Sequence, residues 1–335
     1  MKRPLVIILV VLLLALGIWV TKPGQKEPAV QEPVEQVETE QVQAEPVKDQ
    51  PAQAAPVKAG LNLAALKNAT YFGIEVQDPV TLTDGVWEGE PYEEGGSSRP
   101  SVHFMRDFLL VGDIDGDGTT EAAVLLAARG GGSGENIYLA AVRLEDGELK
   151  NLDTVLMGDR VQVRKAGFGK EHIFFEVVRA GPDDAMCCPG ELDMVAWLLK
   201  NDVLTPMEVT TVPRRLSLDI IAETEWVLTW WDLEEAAPAE PEVTLSFLDG
   251  RLGGKSGCNT YFAAANTGDQ PGDVSMGPAG GTMMACPEEI MAVEQRYLAQ
   301  MGSVKRYGFL AGMLALTYDF DGSLGVMLFE RKKSE

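Results

Sequence analysis

The sequence predicts a mainly β protein of the α+β class, with a disordered N-terminal tether and one clear helix near the C-terminus. Two observations lead to this prediction. Short strand-like runs alternate with turn residues from about Leu61 onward. A single amphipathic helical pattern follows Pro287 in the last third of the chain. The predicted organisation is a signal anchor or signal peptide at 1–21, a disordered linker at 22–58, a β-rich middle domain at 59–212 and a C-terminal domain at 213–335.

The N-terminus has the pattern of an export signal. Lys2 and Arg3 precede an uncharged run from Pro4 to Val20. The run is at the short end for a membrane span of about 20 residues, and Ala15-Leu16-Gly17 offers the small residues of a cleavage site, so anchor and cleaved peptide are both open. Because basic residues stay inside, the rest of the chain is expected in the periplasm or cell exterior. Residues 4–20 are expected to anchor the chain in the cytoplasmic membrane, and cleavage of the segment would give a secreted protein.

Residues 22–58 have the composition of a disordered tether. Pro, Glu, Gln, Val and Ala dominate, aromatic residues are absent, and six prolines lie between Pro23 and Pro56. The whole chain carries 28 basic and 51 acidic residues, a formal charge of −23. That charge repels phosphate backbones and anionic lipids, so nucleic acid is not an expected partner. Membrane contact is expected through the N-terminal segment only.

The sequence pattern of the middle region predicts an antiparallel β meander. Alternation in Val161–Arg164 predicts strands with one solvent-exposed face, and Pro213–Asp219 is expected to connect the two domains. Good hairpin turns lie at Asp146-Gly147 and Asn201-Asp202. The predicted strands are Phe108–Val111, Glu121–Ala128, Ile137–Leu144, Val161–Arg164, Ile173–Val178 and Met194–Leu199.

An acidic loop before the second of these strands is a candidate metal site. Asp113, Asp115 and Asp117 stand on alternate residues, and Glu121 follows. Calcium needs several such oxygens, and the carbonyl of Thr119 is expected to add another. The spacing resembles the calcium-binding hairpin loops of FG-GAP-type repeats, in a single copy. The alternative is an Asp/Gly-rich turn that its own side-chain to backbone hydrogen bonds stabilise.

Two further features are left open by the sequence. Adjacent Cys187 and Cys188 could form a vicinal disulfide, remain two thiols or bind a metal, and a structural loop is the preferred interpretation. Zinc would need more ligands than His103 and His172 offer, since neither has a ligand-like spacing. Trp230-Trp231 is expected to pack in the core, with an exposed ligand-binding edge as the alternative.

The C-terminal third contains the most specific motifs. Ser256-Gly257-Cys258-Asn259 is followed by Thr282-Met283-Met284-Ala285-Cys286, and then by the helical pattern. Pro287 is expected at the first helical position, with an apolar stripe behind it. The stripe comprises Ile290, Met291, Tyr297, Leu298 and Met301. The helix should pack on strands at Val243–Phe247, Leu314–Tyr318 and Gly325–Glu330.

The order of these motifs resembles the META domain, a module of small bacterial envelope proteins that include a heat-shock lipoprotein. The resemblance covers roughly Thr224 to Glu330. It implies antiparallel strands packed around one helix, a disulfide between Cys258 and Cys286, and a place in the cell envelope. No cysteine comes directly after the N-terminal apolar run, so the lipid attachment of the lipoprotein relatives is not expected here.

These observations predict an exported envelope protein that acts as a non-catalytic binding or stress-response module. The expected partner is an unknown envelope protein or a small ligand, and Ca²⁺ is the one cofactor that the sequence suggests. The alternatives are a calcium-stabilised adhesion or assembly component, and a hydrolase or redox enzyme with a site between the two domains. No serine or cysteine nucleophile has partner residues at a spacing that would indicate a catalytic triad.

Overall fold

The computed structural model describes residues 60–222 and 224–333. The predicted signal segment and linker lie outside the described residues. The described part is mainly antiparallel β structure with one long helix, which confirms the predicted fold class. No helix in these two ranges is both long and apolar enough to cross a bilayer.

A small cap begins the described chain. Helix α1 spans Leu63–Leu66 and precedes two short paired strands, β1 (Thr70–Tyr71) and β2 (Val80–Thr81). The side chain of Tyr71 is fully buried, and its hydroxyl donates a hydrogen bond to the carbonyl of Leu66 at 2.8 Å. This bond ties the strand pair to the helix.

The first large sheet is a five-stranded meander. Its strands are β3 (Val86–Glu88), β4 (Pro100–Gly112), β5 (Glu121–Gly130), β6 (Asn136–Glu145) and β7 (Glu148–Asp159). The runs predicted within β4, β5 and β6 are confirmed as strands. The sequence pattern misses β7 because its residues are mostly polar and half-buried, without a clear apolar face.

Strand β5 is buried on both faces. Every residue from Glu121 to Ala128 lies in the interior. Val124 packs in the apolar cluster under the α1 cap, whereas Leu125 packs in the cluster between this sheet and the next. A strand covered on both sides needs no polar alternation, which explains its continuous apolar sequence.

The second sheet also has five strands. They are β8 (Gln162–Phe168), β9 (His172–Arg179), β10 (Glu191–Lys200), β11 (Val203–Met207) and β12 (Arg214–Arg215). The segment Pro213–Asp219, which is expected to connect the two domains, has structure of its own. Arg214 and Arg215 pair with the start of β10, and the residues Leu218–Ile221 form a 3₁₀ turn whose apolar side chains are buried.

Strand β8 does not have the solvent-exposed face that its alternation predicts. The side chain of Arg164 is fully buried, where it forms an ion pair with Glu176 and donates a hydrogen bond to the carbonyl of Ile220 at 2.6 Å. Its guanidinium also lies 5.7 Å from the ring centroid of Phe309. The prediction fails because the C-terminal region packs on this face of the sheet.

The C-terminal region forms a nine-stranded sheet with one helix. Its elements are β13 (Trp226–Trp230), β14 (Thr244–Leu248), β15 (Arg251–Lys255), β16 (Thr260–Thr267), β17 (Val274–Met276), β18 (Gly280–Gly281), α2 (Glu288–Met301), β19 (Val304–Leu310), β20 (Met313–Phe320) and β21 (Ser323–Arg331). An antiparallel bridge between Asp273 and Arg306 brings the β17 end of the sheet beside β19. The sheet is therefore nearly closed.

Helix α2 covers the interior of this sheet. Tyr297 and Met301 are buried, and the ring of Tyr297 contacts that of Phe329 on β21 at a centroid distance of 6.4 Å. The helix begins at Glu288, so Pro287 is the N-cap residue and not the first helical residue that the sequence predicted. The polar side chain of Glu294 is also buried, which the apolar stripe alone does not indicate.

The two tryptophans at the end of β13 have different environments. Trp231 is buried with the guanidinium of Arg296 at 4.5 Å from its ring, in agreement with core packing. Trp230 is half-buried beneath Arg106, whose guanidinium lies 4.3 Å from the ring. Arg106 sits in a bulge of β4, where the pairing with β5 shifts register.

The middle and C-terminal regions share apolar packing. Val178 and Leu192 of the second sheet belong to the same cluster as Trp226 and Phe309 of the C-terminal region. Leu310 in turn packs against the cluster that fills the two middle sheets. The domain boundary between residues 212 and 213 stays a prediction.

Candidate functional site

The acidic loop between β4 and β5 is organised by its own backbone. The carboxylate of Asp113 accepts hydrogen bonds from the N–H groups of Gly116 and Gly118 at 2.8 and 3.0 Å. Asp117 accepts a bond from the N–H of Thr119 at 2.6 Å. Gly116 and Gly118 have φ angles of +77° and +85°, which glycine adopts without strain. These bonds are those of the structural turn that the sequence left as an alternative.

A cation that the sequence did not single out already lies beside this loop. Arg143 on β6 donates hydrogen bonds to Asp115 at 2.9 Å, to Glu121 at 2.8 Å and to Asp202 at 2.9 Å. Its side chain is largely buried, and these carboxylates raise its pKa above the usual value although burial acts in the opposite direction. The cross-strand pair Glu121 and Arg143 is the signal that could have revealed this contact.

The predicted calcium ligands are only partly brought together. Oxygens of Asp113, Asp115 and Asp117 lie within 4.8 Å of one another, an arrangement that could hold a metal ion. Glu121 is not in that group, because one of its oxygens accepts from the N–H of Ile114 at 2.9 Å and the other from Arg143. Calcium binding therefore stays a prediction that involves the three aspartates.

Glu121 and Asp117 of this network have opposite pKa shifts. Burial raises the pKa of Glu121, although the bonds from Ile114 and Arg143 act against that rise. The hydrogen bonds from Thr119 lower the pKa of Asp117, which is the more exposed group. Asp117 is therefore the acid of this pair that stays ionised most readily.

The C-terminal motifs meet at a disulfide. Cys258 and Cys286 are bonded, and their Cα atoms are 6.0 Å apart. The bond joins the turn before β16 to the residue before Pro287. Met283, between the two half-cystines in sequence, is 97% exposed. This exposed stretch is therefore pinned at its base to the start of helix α2.

Glu294 holds the same motifs from the helix side. Its buried carboxylate accepts hydrogen bonds from the hydroxyl of Ser256 at 2.6 Å and from the N–H and side-chain amide of Asn259 at 2.7 and 2.9 Å. Asn259 in turn accepts from the hydroxyl of Thr282 at 2.8 Å and the N–H of Met284 at 2.7 Å. One carboxylate thus organises both halves of the motif.

Cys187 and Cys188 form a vicinal disulfide in the loop between β9 and β10. Cys187 is exposed, whereas Cys188 is buried. His103 and His172 are both half-buried, and the pKa of His103 is lowered by burial and by the charge of Arg129.

A pocket of about 340 Å³ lies where the second sheet meets the C-terminal sheet. The lining includes Gln162 of β8, Arg306 and Gly308 of β19, Thr317 of β20 and the half-cystine Cys187. The lining residues within the described ranges include no histidine and no carboxylate. Sequence reasoning missed this pocket because its residues come from segments that are far apart in the chain.

Glu294 should make stability depend on pH. Burial by itself would raise its pKa, but the bonds from Ser256 and Asn259 leave the pKa below the usual value of 4.5. The stabilisation is therefore complete above about pH 4.5 and is lost as pH falls through the lower pKa of the folded state. We expect Glu294→Gln to lower the free energy of unfolding by about 2–4 kcal/mol at pH 7, because an amide places a donor against donors.

Urea unfolding between about pH 3 and 7 measures both effects. Glu289→Gln, on the exposed first turn of the same helix, is the matched control and should behave like the wild type. Parallel pH profiles for Glu294→Gln and the wild type would contradict the assigned role.

Comparisons with known proteins agree with the C-terminal motifs. The META domain family model matches residues 219–333. No curated protein matches the chain. Among solved structures, an NMR structure of a protein from Burkholderia xenovorans is 24% identical, with 39% of this chain and 98% of that chain covered and a TM-score of 0.28. At that TM-score the likeness adds nothing to the fold. The residues that the family model matches include the C-terminal sheet, helix α2, the Cys258–Cys286 disulfide and Glu294. This region of the chain is a META domain.

Proposed function

We propose that this chain is an exported cell-envelope protein whose folded part is a non-catalytic binding or stress-response module. The META domain supports this proposal, since the family that the motifs resemble consists of envelope proteins that include a heat-shock lipoprotein. The charged and then apolar N-terminal pattern supports export through the cytoplasmic membrane.

The observation that carries the proposal is the pairing of the cysteines. All four cysteines of the chain lie in the described part, and they form two disulfides. Disulfides form and persist in oxidising spaces such as the periplasm and are rare in the cytosol. The cysteine state and the N-terminal pattern are independent features, and both support a location outside the cytoplasm.

Binding is favoured over catalysis by the chemistry of the pocket. Among the described residues, its lining offers an arginine, an amide and hydroxyl groups beside apolar side chains, but no group suited to general acid–base catalysis at neutral pH. Cys187 at this site is disulfide-bonded and is therefore not a thiolate nucleophile. The partner in this proposal is a small ligand or an envelope protein.

A phosphatase reporter fused after Lys58 tests the export part of the proposal. We expect activity in cells, because the reporter enzyme folds only outside the cytoplasm. Leu13→Arg with Leu16→Arg should abolish the activity, since each charge costs about 2.5–3.5 kcal/mol at the centre of a membrane segment. Equal reporter activity with and without the arginines would contradict export by this segment. Cell fractionation then separates anchored from released protein.

A second candidate function is a calcium-stabilised adhesion or assembly component. The convergence of Asp113, Asp115 and Asp117 supports it. Against it stand the loop N–H groups and Arg143, which already neutralise much of the acidic charge.

Thermal melting in calcium against a chelator tests this candidate. Calcium at a concentration of 100 times its dissociation constant would raise the free energy of unfolding by about 2.7 kcal/mol. The shift should disappear in Asp113→Asn and persist in the control Asp146→Asn, which alters an exposed turn residue between β6 and β7. Magnesium at the same concentration is the ionic control. If calcium leaves the melting temperature of the wild type unchanged, the loop is a structural turn only.

A further inference from the structure

The floor of the pocket is the outer face of strands β19 and β20. Gly308 stands opposite Ala315 in the antiparallel register, and Arg306 stands opposite Thr317. The two small residues leave a depression, while the two polar residues stand two pairs further along, beyond Tyr307 and Leu316. A Cβ at position 308 would lie 2.5 Å from the side-chain oxygen of Gln162, so a side chain there would displace that amide from its hydrogen bond with Phe309.

Gln162 forms the wall on the side of the second sheet. Its Oε1 accepts a hydrogen bond from the N–H of Phe309 at 2.9 Å. Because that backbone group is a donor, the orientation of the amide is fixed. The amide nitrogen Nε2, with two N–H donors, has no hydrogen-bond partner within residues 60–222 and 224–333.

Arg306 supplies the positive charge. Nη2 donates to the carbonyl of Pro271 at 2.9 Å, and Nη1 lies 3.4 Å from the sulfur of Cys188. Asp273 lies 3.7 Å from Nε and neutralises part of the charge. An arginine has five N–H donors, so one on each terminal nitrogen remains without a partner in the described part of the chain. A carboxylate can accept from two such donors at once.

The opposite rim is a loop that its own side-chain contacts organise. Asp184 accepts hydrogen bonds from the N–H groups of Gly181 and Gly190, both at 2.9 Å, and forms an ion pair with Arg215. These contacts close the loop that carries the vicinal disulfide. Leu216, Pro189 and Pro271 add apolar surface beside the sulfurs. Little ordering entropy should therefore be lost when a ligand enters.

We propose that this pocket binds a small carboxylate carried on a compact apolar group. Arg306, Gln162 and Thr317 present hydrogen-bond donors to the carboxylate, and the disulfide with its neighbouring prolines and Leu216 contacts the apolar group. The volume is at the lower end of the range for small-molecule sites. This assignment rests on the proposed function as a binding module, and it names the class of ligand.

Ligand-observed NMR titration of the full chain in neutral detergent tests the proposal. The probes are benzoate, hexanoate and succinate, with benzamide as the uncharged partner of benzoate, at an ionic strength of about 0.15 M to screen the acidic surface. We expect saturable binding of benzoate or hexanoate, and at least tenfold weaker binding of benzamide. Succinate, which lacks an apolar group, should bind more weakly than either.

Variants locate the binding. Arg306→Gln should weaken benzoate binding tenfold or more, as expected for loss of a charged hydrogen bond. Because that change also removes the bond to Pro271, Thr317→Val provides a second variant of nearly equal shape, and it should weaken binding several-fold. Arg251→Gln removes the same charge from an exposed arginine near Phe262 and should bind like the wild type.

Three results would overturn the proposal. They are no saturable binding of any carboxylate to protein with intact disulfides, equal binding of benzoate and benzamide, and wild-type affinity in both pocket variants. The outcome is independent of the export test, since binding is measured on purified protein. A silent reporter with intact benzoate binding would refute the location and leave the ligand class standing, and the reverse pattern would refute the ligand class alone.

Discussion

The buried charge of Arg164 is the constraint on which the arrangement of the middle and C-terminal regions depends. Its guanidinium is enclosed between strand β8, the 3₁₀ turn at Leu218–Ile221 and Phe309. An unpaired buried charge costs several kcal/mol, so packing over Arg164 requires both its ion pair with Glu176 on the neighbouring strand β9 and its bond to the Ile220 carbonyl. The pocket exists only in that packed state, because Gln162 on β8 forms one wall and β19 forms the floor.

Two buried carboxylates also hold neighbouring segments in place by their hydrogen bonds. Glu294 fixes the motif around the Cys258–Cys286 disulfide, and Glu121 with Arg143 fixes the acidic loop. In each case one carboxylate accepts bonds from backbone N–H groups of a turn and so removes its freedom. The META domain thereby presents the exposed Met283 stretch on a rigid base. A binding module benefits from such order, because less entropy is lost when a partner docks.

Local patterns were sufficient to predict many of the longer strands and helix α2. Turn residues and apolar runs determine hairpins within a few neighbouring residues. The Cys258–Cys286 pair was implied by the family resemblance. The full burial of Arg164 and the pocket could not be predicted in this way, since both depend on contacts between distant segments. Gln162 and Phe309, for example, are joined by a hydrogen bond although β8 and β19 are far apart in sequence. The alternation within β8 indicates one apolar and one polar face. It cannot indicate that the C-terminal region covers the polar face.

The central claim is that the second sheet and the META domain form one cooperative unit with the pocket at their junction. Native-state hydrogen exchange on the purified protein tests it most directly. We expect the slowest amides of β8 to β10 and of β19 to β21 to exchange through an opening with the same free energy and the same dependence on denaturant. A META domain that opens at a clearly different free energy, while the second sheet keeps its protection, would contradict the claim.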